Sequence, residues 1–265
     1  MNQICKDLEA EYNALDAIVK DLSDDTWQLK TPFFNWTIKD EISHIAYFDR
    51  AAYYSATDQD AFQKDMEEML DGFVDYSKMH KKVNSVGGQM PTQELLSWWR
   101  ENRKKLLEAY ISLSPKERLP WYGPSMSAKS SATARLMETW AHGQDIIDAL
   151  KITRAATDRL RHIAHIGVNT FQWSFKNRQQ TAPDKPIYVA LNGPSGETWE
   201  WGPTDAENHV VGDAHDFCLV VTQRRNIADV TSVTTKGDIA NQWMQIAQAF
   251  AGPPETPPQA GRRMT

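Results

Sequence analysis

Among residues able to do chemistry, Glu138, His142 and Asp145 stand out, because each residue of an α-helix advances about 100° and this spacing puts all three in a narrow sector of one face. Ser131, Ala134, Ala141 and Ala149 lie on or near that sector, while Leu136, Trp140 and Ile147 mark an opposite, apolar side. A carboxylate and an imidazole four residues apart can chelate one cation, and the small residues beside them leave room for it. His44, on a separate helical segment with Glu41 and Phe48 nearby, is the candidate third ligand, since facing helices of a bundle supply metal ligands in this way. Spacing alone leaves a second reading open. Arg135, Glu138, His142, Asp145 and Ala149 would also make an acceptable solvent face with Glu138 and His142 as an exposed pair.

The elements that must position these residues are mostly helical. Ile4, Leu8, Leu15, Ile18 and Leu22 recur at helical period across the first 22 residues. A second helix is expected from about Ile38 to Ala52, capped by Thr37 or Asn35 and carrying His44. The charged stretch from Asp58 to Lys82 is periodic through Phe62, Met66, Met69 and Phe73, and breaks at Gly87-Gly88. Further helices are expected over about Thr92–Leu113, Ser131–Leu150 and Thr157–Asn177. Between the first two of these runs the loop Pro120-Trp121-Tyr122-Gly123-Pro124, whose two large aromatics mark it as a lid or substrate wall.

Beyond Pro183-Asp184-Lys185-Pro186 the pattern changes. Ile187–Leu191, Thr198–Trp201 and Phe217–Thr222 are rich in β-branched and aromatic residues, so three strands are expected, the first two joined as a hairpin through Asn192-Gly193-Pro194-Ser195-Gly196. A helix from about Ile239 to Phe250 closes the unit. The fold class is therefore α+β and mostly α: a helical bundle over residues 1–181, a small α+β domain over 182–252 and a disordered, proline-rich tail over 253–265.

Composition narrows the partners. With 29 basic against 35 acidic residues, a net charge of −6 and a pI near 5.7, the chain lacks the basic surface that nucleic acid requires. No apolar run is long enough for a membrane span and no signal segment opens the chain, so a cytoplasmic protein is expected. Cys5 and Cys218 are far apart and read as reduced thiols.

Two motifs add a resemblance. Trp36-Thr37-Ile38-Lys39-Asp40-Glu41-Ile42-Ser43-His44-Ile45-Ala46 resembles the W-x3-D-x3-H-[LI]-A signature of the DinB-like helical-bundle superfamily, and is most similar to the mycothiol-dependent maleylpyruvate isomerase family within it. Glu138-Thr139-Trp140-Ala141-His142 resembles that family's second motif, whose Glu and His join the earlier His on a divalent ion, usually zinc. The resemblance extends over nearly the whole chain, though only these motifs are specific. It implies a DinB-like four-helix bundle, His44, Glu138 and His142 as metal ligands, an open coordination position, and a low-molecular-weight thiol as cosubstrate. It further implies an arginine near the end of a C-terminal strand that reaches the active site, here Arg224 or Arg225, able to hold a substrate carboxylate bidentately.

The expected function is a divalent-metal enzyme acting on a small carboxylated substrate, as a thiol-dependent isomerase or transferase. Asp145 and Arg225 are its candidate catalytic groups, with Trp121, Tyr122, His165 and Arg224 as substrate contacts. A metal-activated-water hydrolase or hydratase and a non-catalytic metal-binding module are the alternatives. A small molecule is the expected partner, without nucleic acid or membrane, and a homodimer is left open.

Overall fold

The computed structural model describes residues 1–71 and 75–262, so Phe73 of the expected charged helix and the last three residues of the tail lie outside the described residues. Two compact units divide the chain at Leu150 and Lys151. Among the described residues, no helix is long and apolar enough to cross a membrane.

The first unit is built on four long helices: α1 (Asn2–Val19), α3 (Ile38–Thr57), α6 (Thr92–Ser112) and α7 (Ala128–Leu150). The apolar stripe of α1 buries Ile4, Leu8, Tyr12, Leu15 and Val19, so Val19 rather than Ile18 completes it. A short helix, α2 (Asp24–Trp27), buries Trp27. Helix α3 starts where the sequence demands. The Thr37 hydroxyl accepts from Asp40 N at 3.0 Å while the Asp40 carboxylate accepts from Thr37 N at 2.8 Å, a reciprocal cap that satisfies two amides at the helix start. The charged stretch forms two helices instead of one, α4 (Gln59–Leu70) and α5 (Tyr76–Gly88), and α5 ends at the Gly87-Gly88 pair, where the break is expected.

A two-stranded ribbon, β1 (Arg118–Leu119) and β2 (Met126–Ser127), brackets the Trp121-Tyr122 loop. That loop is anchored within the unit. Ser55 donates to the Pro120 carbonyl at 2.6 Å, Tyr122 donates to Asp65 at 2.8 Å, and Trp121 stacks on Phe62.

The second unit contains α8 (Leu160–Asn169), α9 (Phe171–Lys176) and a sheet of β3 (Ile187–Asn192), β4 (Thr198–Trp201), β5 (Asn208–Asp213) and β6 (Val233–Lys236) in the order β4-β3-β5-β6. Helices α8 and α9 thus group with the sheet, although helical period alone gave them to the bundle. Strands β3 and β4 form the expected hairpin, with Val189 opposite Trp201 and Asn192 opposite Thr198. Phe217–Thr222, expected as a strand, is instead the last five residues of α10 (Ala214–Val221) and its C-cap Thr222. Asp213 caps α10 by accepting from His215 N and Asp216 N, and the helix is apolar because it is buried nearly all round, a case in which composition cannot tell helix from strand. Gly167 of α8 lets the two helices approach, since a Cβ there would stand 2.8 Å from Val221. Helix α11 (Asp238–Ile246) completes the unit.

The tail was expected to be disordered, but its described part is tied to this unit. Gln223 and Arg178 donate to the Glu255 carbonyl, Asn226 donates to that of Pro258, and Gly261 N donates to Asp229. Such backbone pairing explains why a proline-rich composition does not leave the segment loose.

Candidate metal centre

His44 from α3 and Glu138 and His142 from α7 converge in the first unit, each with a donor atom within 4.8 Å of the other two. The solvent-face reading of α7 does not hold, because Arg135, His142 and Asp145 are all buried. Tetrahedral coordination at zinc distances separates ligand atoms by about 3.4 Å, and His142 Nε2 already lies 3.2 Å from Glu138 Oε2. His44 is buried, and the Asn84 side chain is the polar group that acts on its ring from α5. Two imidazoles and one carboxylate, brought within this distance, fit a divalent cation.

The surroundings prepare these groups. Glu41, completely buried, accepts from His142 Nδ1 at 2.7 Å and from the Thr31 hydroxyl at 2.6 Å. With Glu41 ionised, this contact puts the proton on Nδ1 and leaves Nε2 to face Glu138 and a cation. Burial pushes the Glu41 carboxyl up to about 7 against the lowering effect of the His142 hydrogen bond. Burial first, and then the charges of His142 and His80, hold His44 well below the ordinary histidine value, so its imidazole is neutral and ligand-ready.

An aromatic enclosure covers the cluster. Trp36 lies parallel to the His142 ring at 5.9 Å and tilted against His44 at 5.1 Å, and Phe33 meets His142 edge-on at 5.2 Å. Both come from a tight turn closed by Trp36 N donating to the Phe33 carbonyl at 2.9 Å. Its central residues, Phe34 and Asn35, have φ of 49° and 57°, a left-handed pair that Asn accepts and that strains a bulky Phe. Half-buried His80 of α5 stands edge-on to Trp36 at 5.5 Å and to His44 at 6.0 Å.

The other expected residues fall in several places. Asp145 is buried with Oδ2 3.9 Å from His142 Nδ1, beyond hydrogen-bond range, so Glu41 and not Asp145 is the nearer support of that ring. Trp121 and Tyr122 approach the centre through Phe48, whose ring is 4.7 Å from His44, 6.2 Å from Trp121 and 5.7 Å from Tyr122. Asp49 is committed to a buried network: Tyr12, Trp99 and Arg135 donate to it at 2.6, 3.2 and 2.8 Å.

The remaining three belong to the second unit. His165 on α8 accepts from Trp201 Nε1 at 3.2 Å and lies 2.9 Å from Asn169 Nδ2. Arg224 and Arg225 are buried, and follow a helix end instead of the strand end expected for them. Gln223, with φ of 58°, turns the chain so that both backbone amides donate to the Leu219 carbonyl, and each guanidinium donates to a backbone carbonyl. A further cluster of Asp213, His215 and Asp216 is used locally, Asp213 as the α10 cap and Asp216 as acceptor for Ser232.

Sequence reasoning passed over the support role of Glu41 and passed over His80 entirely. Glu41 carried a signal, a carboxylate one turn before His44 on a buried face. His80 sits among lysines and carried none.

A mostly helical α+β protein with a two-helix His-Glu-His centre is the class these features define. The family described as the mycothiol maleylpyruvate isomerase N-terminal domain matches residues 8–147. An uncharacterized protein found in two strains of Mycobacterium tuberculosis is 46% identical over 251 residues, covering 94% of this chain and 95% of the relative. The chain belongs to the mycothiol maleylpyruvate isomerase N-terminal domain family. The crystal structure of a mycothiol-dependent maleylpyruvate isomerase superposes with a TM-score of 0.57 at 15% identity, over 88% of this chain and 92% of that one. A histidine-to-alanine variant of that enzyme gives 0.56. At this identity the likeness speaks to the fold.

Proposed function

We propose that the protein is a zinc-dependent enzyme that uses a low-molecular-weight thiol to isomerise a small carboxylated substrate. The observation that carries this reading is the convergence of His44, Glu138 and His142 behind an aromatic wall, with Glu41 orienting His142. The thiol and the isomerase chemistry are carried over from the family and from the mycothiol-dependent neighbour of the same fold.

When bound, zinc held by three side chains keeps a position for an external ligand and favours a thiolate or polarised carbonyl there. The chain's own residues hold and shield that place. Glu41 keeps the proton of His142 on Nδ1, while Trp36 and Phe33 exclude bulk water from the imidazole faces. Asp145 adds a buried negative charge behind His142. Trp121 and Tyr122 are assigned to the substrate side of Phe48. With these parts the protein would work as a soluble cytoplasmic enzyme.

Elemental analysis of the purified chain beside His142→Ala tests the centre. About one zinc per wild-type chain and none in the variant is expected for a three-ligand site, and equal contents overturn it. Turnover of maleylpyruvate with and without mycothiol tests the chemistry. Zinc-loaded protein that turns over nothing with the thiol would refute the isomerase reading and favour a metal-binding module.

A further inference from the structure

Helix α5 looks from its composition like an outer, solvated element, yet one of its faces is pressed onto α3 beside the metal centre. Gly87 makes this approach feasible: a Cβ there would stand 2.6 Å from Ser43 Oγ and 2.7 Å from Leu95 Cδ1. In the space left, the Ser43 hydroxyl donates to the Asn84 carbonyl at 2.8 Å and accepts from Gly87 N at 3.0 Å. Ser43 is the residue before His44, so this clamp fixes α5 at the level of the ligand. One turn along the same face from Asn84 comes His80.

His80 is placed there with its chemistry unused. Its ring meets Trp36 and His44 edge-on at 5.5 and 6.0 Å, but it makes no hydrogen bond among the described residues. It also stands outside the set of donors close enough to share a cation, which joins His44, Glu138 and His142 without it. A third imidazole next to a three-ligand centre, near it and not in it, is placed to touch what the centre binds. Packing against Trp36 alone would be served as well by a phenyl ring.

We propose that His80 is a ligand-binding residue of the centre, donating a hydrogen bond to the anionic atom, thiolate sulfur or carboxylate oxygen, that takes the position the three protein ligands leave open. This inference rests on the metal-site reading. Trp36 touches His80 and both ligand imidazoles, so the same bond sets how a bound anion lies against the indole.

The test uses the full chain loaded with cobalt(II), titrated separately with 2-mercaptoethanol and with acetate, and followed by its visible absorption. His80→Phe keeps the ring and loses the N–H. Its cobalt content should equal that of wild type, while its Kd for at least one probe rises roughly tenfold, the scale of a hydrogen bond to a charged group. His80→Gln, which restores a donor, should recover part of the loss. Weakening confined to the thiol assigns the bond to a thiolate, and weakening confined to acetate assigns it to a carboxylate. Unchanged affinity for both probes in His80→Phe overturns the inference and leaves the metal centre standing. Loss of cobalt from His80→Phe also overturns it, by making His80 a ligand. Wild-type protein that holds no cobalt overturns this inference and the metal centre together.

Discussion

Replacing Glu41 should weaken metal binding by an amount its contacts foretell. The side chain bridges His142 Nδ1 at 2.7 Å and the Thr31 hydroxyl at 2.6 Å, and is fully buried. In Glu41→Gln the amide oxygen can still accept from Nδ1 while its NH2 faces Thr31, whose hydroxyl can turn its proton to the Phe33 carbonyl 3.4 Å away. Only the charge assistance is lost. Support residues of this kind are worth 10- to 100-fold in metal affinity, so Gln belongs near tenfold, about 1.4 kcal/mol. Glu41→Ala removes both bonds, including the one that orients the His142 ring, which places it near 100-fold.

The comparison that decides the matter is Asp145→Asn. With Oδ2 3.9 Å from Nδ1, Asp145 makes no hydrogen bond to His142, and its substitution should change affinity by less than about threefold. Competition against a chromophoric chelator at fixed pH measures all three variants, because protons compete for the same ligands. Circular dichroism checks that each is folded. If Glu41→Ala binds zinc as tightly as wild type, or if Asp145→Asn is the weaker binder of the two, the assignment of Glu41 as the group that orients His142 is wrong.

Three further outcomes follow from the first unit. Arg135→Met leaves Asp49 as an unpaired buried charge and should cost about 3–5 kcal/mol in urea denaturation, with Asp49→Leu in the same chain recovering most of it; a cost under about 1 kcal/mol would contradict the burial of the pair. Gly87→Ala and Gly88→Ala should have opposite signs. The first drives a methyl into Ser43 and Leu95 at a cost of about 1–3 kcal/mol, whereas the second meets nothing within 4 Å and gains up to about 1 kcal/mol of helix propensity, so equal melting temperatures would refute the α5 clamp. Burial raises the Asp16 carboxyl, but the Arg100 and Arg103 guanidiniums outweigh it and hold it below its ordinary value. Its stabilisation is then fully present above the unfolded pKa of about 3.9 and is lost as the pH falls through the lower folded value. Acid melts of wild type against Asp16→Asn should converge as the pH drops; curves parallel from pH 6 to pH 2 would show that Asp16 contributes nothing.

How much of this was readable in the chain depends on whether the relation lay within one element or between two. The cap at Thr37 and the face shared by Glu138, His142 and Asp145 are properties of single helices, and the helical period discloses both. That His44 meets them is a relation across the bundle, which the paired motifs supplied and spacing did not. The Glu41 to His142 bond spans 101 residues, and the edge contact of His80 with Trp36 joins two helical regions through a tight turn, so no local pattern records either. In the second unit, Phe217–Thr222 was misread because a short apolar run is the same for a strand and for a helix buried all round. The strand β5, Asn208–Asp213, was passed over since it alternates His, Val and Gly without the aromatic content that marks β3 and β4.

The acidic groups between α3 and α7 add to the argument for a cation that the ligand spacing makes. Arg135 is paired with Asp49, and its charge also reaches Glu138. Glu41, Glu138 and Asp145 gather about His142, with His44 kept neutral by its burial. A protonated His142 would offset one carboxylate. Burial raises the Glu41 carboxyl to about 7, and a positive ion beside it would favour the ionised form. Hydrophobic side chains of the same volume would spare the fold this strain, so the cluster is poorly explained as packing. A divalent cation at Nε2 of His142 would supply that positive charge and give His44 and Glu138, each with a donor atom within 4.8 Å of the others, a common partner.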